Sequence, residues 1–229
     1  MKYMGSKRRY ARELLPIILE GRQNSQHYVE PFVGGFNMID KVQGRRIASD
    51  KNKYLISLFV AIQSGWEPPS QVEESLYLNI KNNKDDFPEH LVGFIGFGCS
   101  YGGKWFGGFA RGDGRNYADE SKRNLMRQAE FIKGITIVNT SYDHLHIPEN
   151  SIIYCDPPYE GTTGYGDEFN HKGFWAWCEE KAISGNTVFV SEYNAPTNWI
   201  EVWSKKVFNS LDKDTGSKTG IEKLFTLKV

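Results

Sequence analysis

"SIIYCDPPYEG", residues 151–161, runs from apolar, strand-like residues straight into an acid, two prolines and a tyrosine. The apolar part reads as a buried strand. Pro157 cannot donate a hydrogen bond, fixes its own φ and restricts Asp156 before it, so the backbone at the strand's exit is held extended. The Asp156 carboxylate and the neighbouring carbonyls then converge as fixed acceptors beside the ring of Tyr159. Such a corner suits a planar group bearing an exocyclic amine, whose two N–H bonds need acceptors while its face needs a stacking partner. Open α/β sheets place their ligands at this position, outside the carboxyl ends of strands.

Outward from that corner, helix and strand signals alternate, which predicts an α/β layered fold. Leu14, Leu15, Ile18 and Leu19 recur at helical spacing over residues 7–21, ending at Gly21. Residues 28–30 and 46–49 read as short strands ending at Pro31 and Asp50, and a helix is expected over 52–63. Residues 66–117 change character, passing from an acidic polar stretch to "FIGFGCSYGGKWFGGFARGDGRNY". Glycine weakens both helix and strand, so this stretch cannot be one regular element, and it reads as an inserted subdomain. Regular alternation returns with a helix near 118–133, strands near 135–139, 151–155 and 187–191, and a helix between the last two. "KKVFNS" and "EKLFTLKV" predict a C-terminal antiparallel hairpin.

The 229 residues are enough for one domain with a modest insertion, and no stretch approaches the length and apolarity of a membrane span. The N-terminus is basic without an apolar core followed by small residues, so no secretion signal is expected. Cys99, Cys155 and Cys178 are odd in number and lack ligand spacing with histidine; reduced thiols, no metal and a cytoplasmic location are expected. Net charge is zero, which argues against binding nucleic acid through bulk charge alone, but the distribution is uneven. Residues 1–22 carry six Lys or Arg against two Glu, and residues 101–127 six against three acids, whereas residues 67–90 reverse the balance with six acids against two Lys.

The chain resembles the DNA adenine methyltransferases of the Dam-like, alpha-order group, whose signature is Asp-Pro-Pro-Tyr downstream of an S-adenosylmethionine-binding half. "KYMGSK" at 2–7 is similar to that group's N-terminal cofactor motif, "YVEPFVGG" at 28–35 to its glycine loop, and "ASDKN" at 48–52 supplies the expected acid. Phe36 stands where the group often has a further glycine. The resemblance implies a Rossmann-like methyltransferase sheet, mixed through its C-terminal hairpin, with a catalytic domain of 1–65 and 118–229 and a target-recognition subdomain at 66–117.

It further implies catalytic roles for Asp156, Pro157, Pro158 and Tyr159. The cofactor residues carried over are Tyr3, Gly5, Lys7, Glu30, Pro31, Phe32, Gly34, Gly35, Asp50, Tyr142 and Asp156. Gly34 and Gly35 would allow close backbone approach, Asp50 would accept the ribose hydroxyls, and Glu30 would receive the cofactor's ammonium. Plainer readings stay open: Asp50 as a helix N-cap, Lys7 as surface charge, Tyr142 as a core residue, and Gly34–Gly35 as a tight turn. Double-stranded DNA is the expected partner. It would be met by Arg8, Tyr101, Lys104, Trp105, Arg111 and Arg115, with Ser191 and Tyr193 near the target pocket. Trp105 and Phe106 could instead hold the insertion together as a small aromatic core. The glycine-rich "EGTTGYGDEF" at 160–169 could close over the extruded base.

Two other classes of reading remain. Related enzymes with a Pro-Pro-aromatic corner modify cytosine N4, RNA bases or protein amides. A binding protein or a nicotinamide oxidoreductase could use the same strand-loop-acid plan, although "GGFNMI" does not fit G-x-G-x-x-G.

Overall fold

The structure, a computed structural model, describes residues 1–161, 169–208 and 219–227. Its longer elements in chain order are α1 (Ala11–Ile18), β1 (Tyr28–Glu30), β2 (Arg46–Asp50), α2 (Lys53–Gln63), α3 (Glu74–Asn82), α4 (Glu89–Gly93), α5 (Tyr117–Ile132), β3 (Thr136–Asn139), β4 (Ile152–Cys155), α6 (His171–Ile183), β5 (Thr187–Glu192), β6 (Ile200–Phe208) and β7 (Thr219–Thr226). They gather into two compact units, one formed by Met1–Ala11 with Val33–Leu145 and the other by Arg12–Phe32 with His146–Val229.

In the first unit β2 and β3 pair in parallel, Ile47 opposite Thr136 through Asp50 opposite Asn139. Asn52 caps α2, its side-chain oxygen accepting from the amides of Tyr54 and Leu55 at 3.1 Å each. Leu55, Leu58, Phe59 and Ile62 are buried along the helix. The carbonyls at the end of α5 would otherwise lack partners. The Arg46 guanidinium donates to Phe131 O at 2.7 Å and to Lys133 O at 2.8 Å, and the Gln63 amide donates to Ile132 O at 2.8 Å. Side chains of β2 and α2 therefore fix where α5 ends.

The expected insertion lies within this unit and is built of several short elements. Its glycine-rich part holds a finding that composition did not anticipate: α4 continues directly into a π-helical turn, Phe94–Gly98. Glycine is unfavourable inside a helix unless the missing side chain makes room for something. A Cβ at Gly93 would sit 2.1 Å from Tyr54 O, and one at Gly96 would sit 2.3 Å from the Trp105 ring. Close approach of α2 and of the Trp105 ring accounts for these two glycines.

In the second unit the strand order is β1-β4-β5-β7-β6. β1, β4 and β5 are parallel, with Val29 opposite Ile153 and Cys155 opposite Val190. β7 is antiparallel to both β5 and β6. The arrangement is the mixed α/β one expected, including the C-terminal antiparallel hairpin. β6 begins at Ile200, ahead of the "KKVFNS" that signalled it, and a bulge between Glu201 and Trp203 interrupts the alternation there. The tip of that hairpin and most of the "GTTGYGDEF" segment lie outside the described residues. Cys99, Cys155 and Cys178 are free and buried. No helix among the described residues is long and apolar enough to cross a membrane.

Candidate active site

The glycine loop of the first unit is organised by Asp50, at the carboxyl end of β2. Its Oδ2 accepts from the Gly34 amide at 3.1 Å and its Oδ1 from the Asn52 amide at 3.0 Å. The N-cap of α2 is Asn52, so Asp50 instead ties the glycine loop to the start of that helix. Burial raises the Asp50 carboxyl above its ordinary range, more than the amides of Asn52, Gly34 and Lys51 lower it. A carboxylate offers about four lone-pair sites, so acceptor capacity remains for a hydroxyl.

Gly34 and Gly35 face Tyr3. A Cβ at Gly34 would lie 2.8 Å from Tyr3 Cε1, and one at Gly35 would lie 2.7 Å from Tyr3 Cβ. Gly34 also has φ +49, a left-handed conformation that side chains disfavour. Phe36 adopts that conformation too, at φ +58, although it carries a ring. Left-handed backbone costs an L-residue roughly 1–2 kcal/mol. Phe36 is fully buried and stacks on Phe59 with centroids 3.9 Å apart. Burying a phenyl ring contributes about 1.5–3 kcal/mol and an aromatic pair about 0.5–1.5 more, enough to hold the loop as a glycine would. The Gln128 amide completes the frame, donating to Gly35 O at 3.1 Å and Phe36 O at 2.9 Å.

The N-terminal motif reaches both this loop and the insertion. The Tyr3 ring lies 5.3 Å from Phe97, and the Met4 amide donates to Gly103 O at 3.4 Å. Lys7 is buried, whereas Gly5 and Arg8 are exposed. Arg8 lines an open cleft of about 510 Å³ with Lys2, Tyr3 and Gly102. Tyr142 is half-buried in the short 3-10 turn Tyr142–His144. Asp143, the residue after it, is held below the ordinary carboxylate range by a hydrogen bond from the Ser141 hydroxyl.

The second unit places its acids at one edge. β1, β4 and β5 run in parallel, so Glu30, Asp156 and Glu192 all stand at carboxyl ends. Glu30 is buried and accepts from the Tyr28 hydroxyl at 2.8 Å. Pro31 is buried, and Phe32 meets Phe174 edge-on at 5.6 Å. Pro157 is buried, while Asp156 and Pro158 are half-buried. The Tyr159 hydroxyl donates to Glu222 Oε2 at 2.7 Å, and its ring meets Tyr193 edge-on at 4.7 Å. Burial, reinforced by the charges of Asp156 and Glu222, pushes the Tyr159 phenol well above its usual range, so it stays protonated. Ser191 is buried with its hydroxyl 2.9 Å from that of Tyr154.

Glu222 lies in no motif of the sequence, and Glu192 was passed over although it stands between Ser191 and Tyr193, which the resemblance singled out. Glu192 is 3% exposed and accepts from the amides of Tyr193 at 2.7 Å and Glu160 at 3.1 Å. Burial raises its carboxyl to about 7, and Asp156 and Glu160 push the same way.

In the insertion, Tyr101 is 68% exposed and Lys104, Arg111 and Arg115 are exposed. Trp105 stacks on Tyr54 at 5.4 Å and tilts against Phe97 at 4.6 Å; Phe106 is buried against Tyr77 at 5.4 Å. These two rings build an aromatic core. Arg111 grips Glu74 through both Nε and Nη2, and Arg115 grips Glu120 at 2.9 and 2.8 Å. Both arginines line a cleft of about 420 Å³ that also takes in Gln71, Asn116 and Tyr117. Among the described residues no group of three or more His, Cys, Asp or Glu side chains is placed to hold a metal.

The donor set fits a nucleoside cofactor on one count that is internal to the structure: Asp50 stands at a strand exit beside a loop of glycines, with acceptor capacity left for a hydroxyl.

Two curated proteins resemble the chain. The type II methyltransferase M.FokI of Planomicrobium okeanokoites is 24% identical over 205 residues, and the modification methylase StsI of Streptococcus sanguinis is 26% identical over 207. Each match takes in 77% of this chain and 31% of the relative, so the chain spans about a third of the length of the curated relatives it matches. Among solved structures, the tRNA (m1A58) methyltransferase TrmI of Aquifex aeolicus aligns with a TM-score of 0.39 at 8% identity, covering 100% of this chain and 72% of that one. Residues 3–93, which hold the N-terminal motif, the glycine loop and Asp50, match the model of the D12 class N6 adenine-specific DNA methyltransferase family.

Proposed function

We propose that this chain transfers the methyl group of S-adenosylmethionine to the N6 amine of adenine in double-stranded DNA, acting in the cytoplasm. S-Adenosylmethionine supplies an electrophilic methyl carbon on a sulfonium, leaving S-adenosylhomocysteine. Asp50 accepts the ribose hydroxyls, Glu30 receives the ammonium, and Lys7 with Gly5 lines the methionine side. Tyr3, Gly34, Gly35 and Tyr142 of the first unit and Pro31 and Phe32 of the second are the remaining cofactor residues of this reading.

The adenine amine is a poor nucleophile, because its lone pair is delocalised into the ring. The Asp156 carboxylate and the Pro157 carbonyl accept its two N–H bonds and orient the lone pair away from the ring. Asp156 need not be a strong base beforehand, since the amine becomes acidic only once methylated and its proton leaves late. Reaching the amine inside a duplex requires flipping the nucleotide out, at about a few kcal/mol, with Tyr159 stacking on the base. Tyr101, Lys104, Arg111, Arg115 and Arg8 contact the duplex, and the insertion over 66–117 acts as the recognition subdomain.

The observation that carries this reading is the Asp156-Pro157-Pro158-Tyr159 corner at the exit of a buried parallel strand, beside an edge where two further acids stand. The family match over residues 3–93 supports the cofactor half. Tritium transfer from labelled S-adenosylmethionine to DNA, compared between the wild type and Asp156→Ala, tests it. N6-methyladenine is the nucleoside expected by mass spectrometry, and label in the wild type alone. Label on cytosine or on RNA, or equal label from both proteins, would overturn it.

A further inference from the structure

We propose that Glu192 is a positioning residue for the amine-binding corner: its ionised carboxylate clamps the exit of β4 to the exit of β5 by accepting one backbone N–H from each. The inference rests on the methyl-transfer reading above for its functional consequence, but not for the clamp itself.

The two amides are those of Glu160, the residue following Tyr159, and of Tyr193, whose ring packs edge-on against Tyr159. Each goes to a different oxygen, Glu160 to Oε2 and Tyr193 to Oε1. The ionised form serves both best, because protonation turns one oxygen into an O–H group that keeps only a weaker acceptor lone pair for its N–H. Protonation therefore loosens one side of the clamp.

The amides of Tyr193 and Glu160 favour the charge of Glu192, but the titratable groups on the elements packed against it do not. From the β4 exit come Asp156, Tyr159 and Glu160, and β7 brings Glu222 and Lys223. Lys223 stands opposite Glu192 in the β5–β7 register, and its ammonium is bound at 3.0 Å to Glu201. With burial added, the carboxyl titrates near neutrality, at about 7. The clamp is therefore sensitive to pH near neutrality.

The experiment measures amide exchange at Glu160 and Tyr193, corrected for its intrinsic pH dependence, alongside methyl-transfer kinetics. Losing one hydrogen bond corresponds to about a tenfold change in protection. Protection of one or both amides in the wild type is expected to rise about tenfold between roughly pH 6 and pH 8, and to stay low and flat in Glu192→Gln. The amide of Gln presents an N–H to an N–H and so mimics the protonated acid. In parallel, wild-type kcat is expected to rise over the same window with the KM for S-adenosylmethionine unchanged, while Glu192→Gln stays at the wild-type acid-side level. Flat protection in the wild type overturns the clamp, whether or not the variant folds. A variant whose kcat follows the wild-type pH profile overturns its role in positioning. If no acceptor is methylated by either protein at any pH, the proposed function fails, and the exchange measurement still decides the clamp.

Discussion

Tyr159 donates its phenolic proton to Glu222 at 2.7 Å, so the ring that closes the Asp-Pro-Pro-Tyr sequence is pinned by a strand 63 residues further on. Tyr159→Phe keeps the ring but takes one donor from a buried carboxylate. It is expected to lower stability by about 1–3 kcal/mol in urea denaturation while retaining base stacking. Because the phenol's pKa lies well above its usual range, Tyr159 contributes no alkaline limb below about pH 10. An alkaline limb in kcat/KM that disappears in Tyr159→Phe would contradict this.

Gly34→Ala combines two penalties, left-handed backbone and a methyl placed 2.8 Å from the Tyr3 ring. A loss of about 2–4 kcal/mol is expected, together with weaker S-adenosylmethionine binding by calorimetry. Removing the ring with Tyr3→Ala relieves the clash but not the φ penalty. The double-mutant cycle should therefore show a favourable coupling of about 1 kcal/mol or more, and strict additivity would refute the contact.

Phe36 yields a reversal of the usual ranking. Truncating its ring to Ala or to Gly forfeits the same stack on Phe59, about 3–5 kcal/mol. Only Gly then relaxes at φ +58. Phe36→Gly is expected to be the more stable of the two by about 1 kcal/mol, although glycine is normally the more destabilising replacement. Thermal melts of the two variants decide it.

Much of this frame was readable in the chain. The α2 helix fell where Leu55, Leu58, Phe59 and Ile62 placed it, although its cap is Asn52 rather than Asp50. The tetrapeptide fell at a strand exit because an apolar run followed by Pro157 leaves few other shapes. The unreadable parts are those decided by sheet pairing and by close packing. Glu222 meets Tyr159, and Glu192 meets Glu160, through neighbouring strands that no local motif announces. Gly96 signalled irregular backbone, yet it and Gly93 sit in helix because Trp105 and Tyr54 fill the space their side chains would take. Phe36 stood out as a departure from the expected glycine, and only the stack on Phe59 explains how the loop tolerates it.

The Arg111–Glu74 and Arg115–Glu120 pairs occupy both forks that would face phosphates. Exposed pairs of this kind add little to stability, so they exchange readily. Glu74→Gln with Glu120→Gln is expected to tighten DNA binding about 2–10-fold at low salt. Glu89→Gln, which frees Lys53 instead, serves as the charge control. Arg111→Ala and Arg115→Ala should each reduce the salt slope of log K by about one, as read by fluorescence anisotropy. An unchanged slope would remove these arginines from the interface.

Glu192 also makes stability depend on pH. Its folded pKa, about 7, lies above the ordinary 4.5, so the folded state holds this proton more tightly than the unfolded chain does. Its contribution is therefore most favourable below about pH 4.5 and is lost as pH rises toward 7, by an amount on the order of 3 kcal/mol. Glu192→Gln should flatten that part of the profile in denaturant titrations across pH; an identical slope in both proteins would assign it elsewhere.

The three native thiols are all buried, and burial lifts that of Cys99 to about 12. Thiolate is the reactive form, so none of them competes for a maleimide under mild conditions. A cysteine introduced in place of exposed Tyr101 would carry a fluorophore or spin label in an otherwise native background. Movement of that segment on meeting a duplex could then be followed without first stripping the protein of its own sulfur.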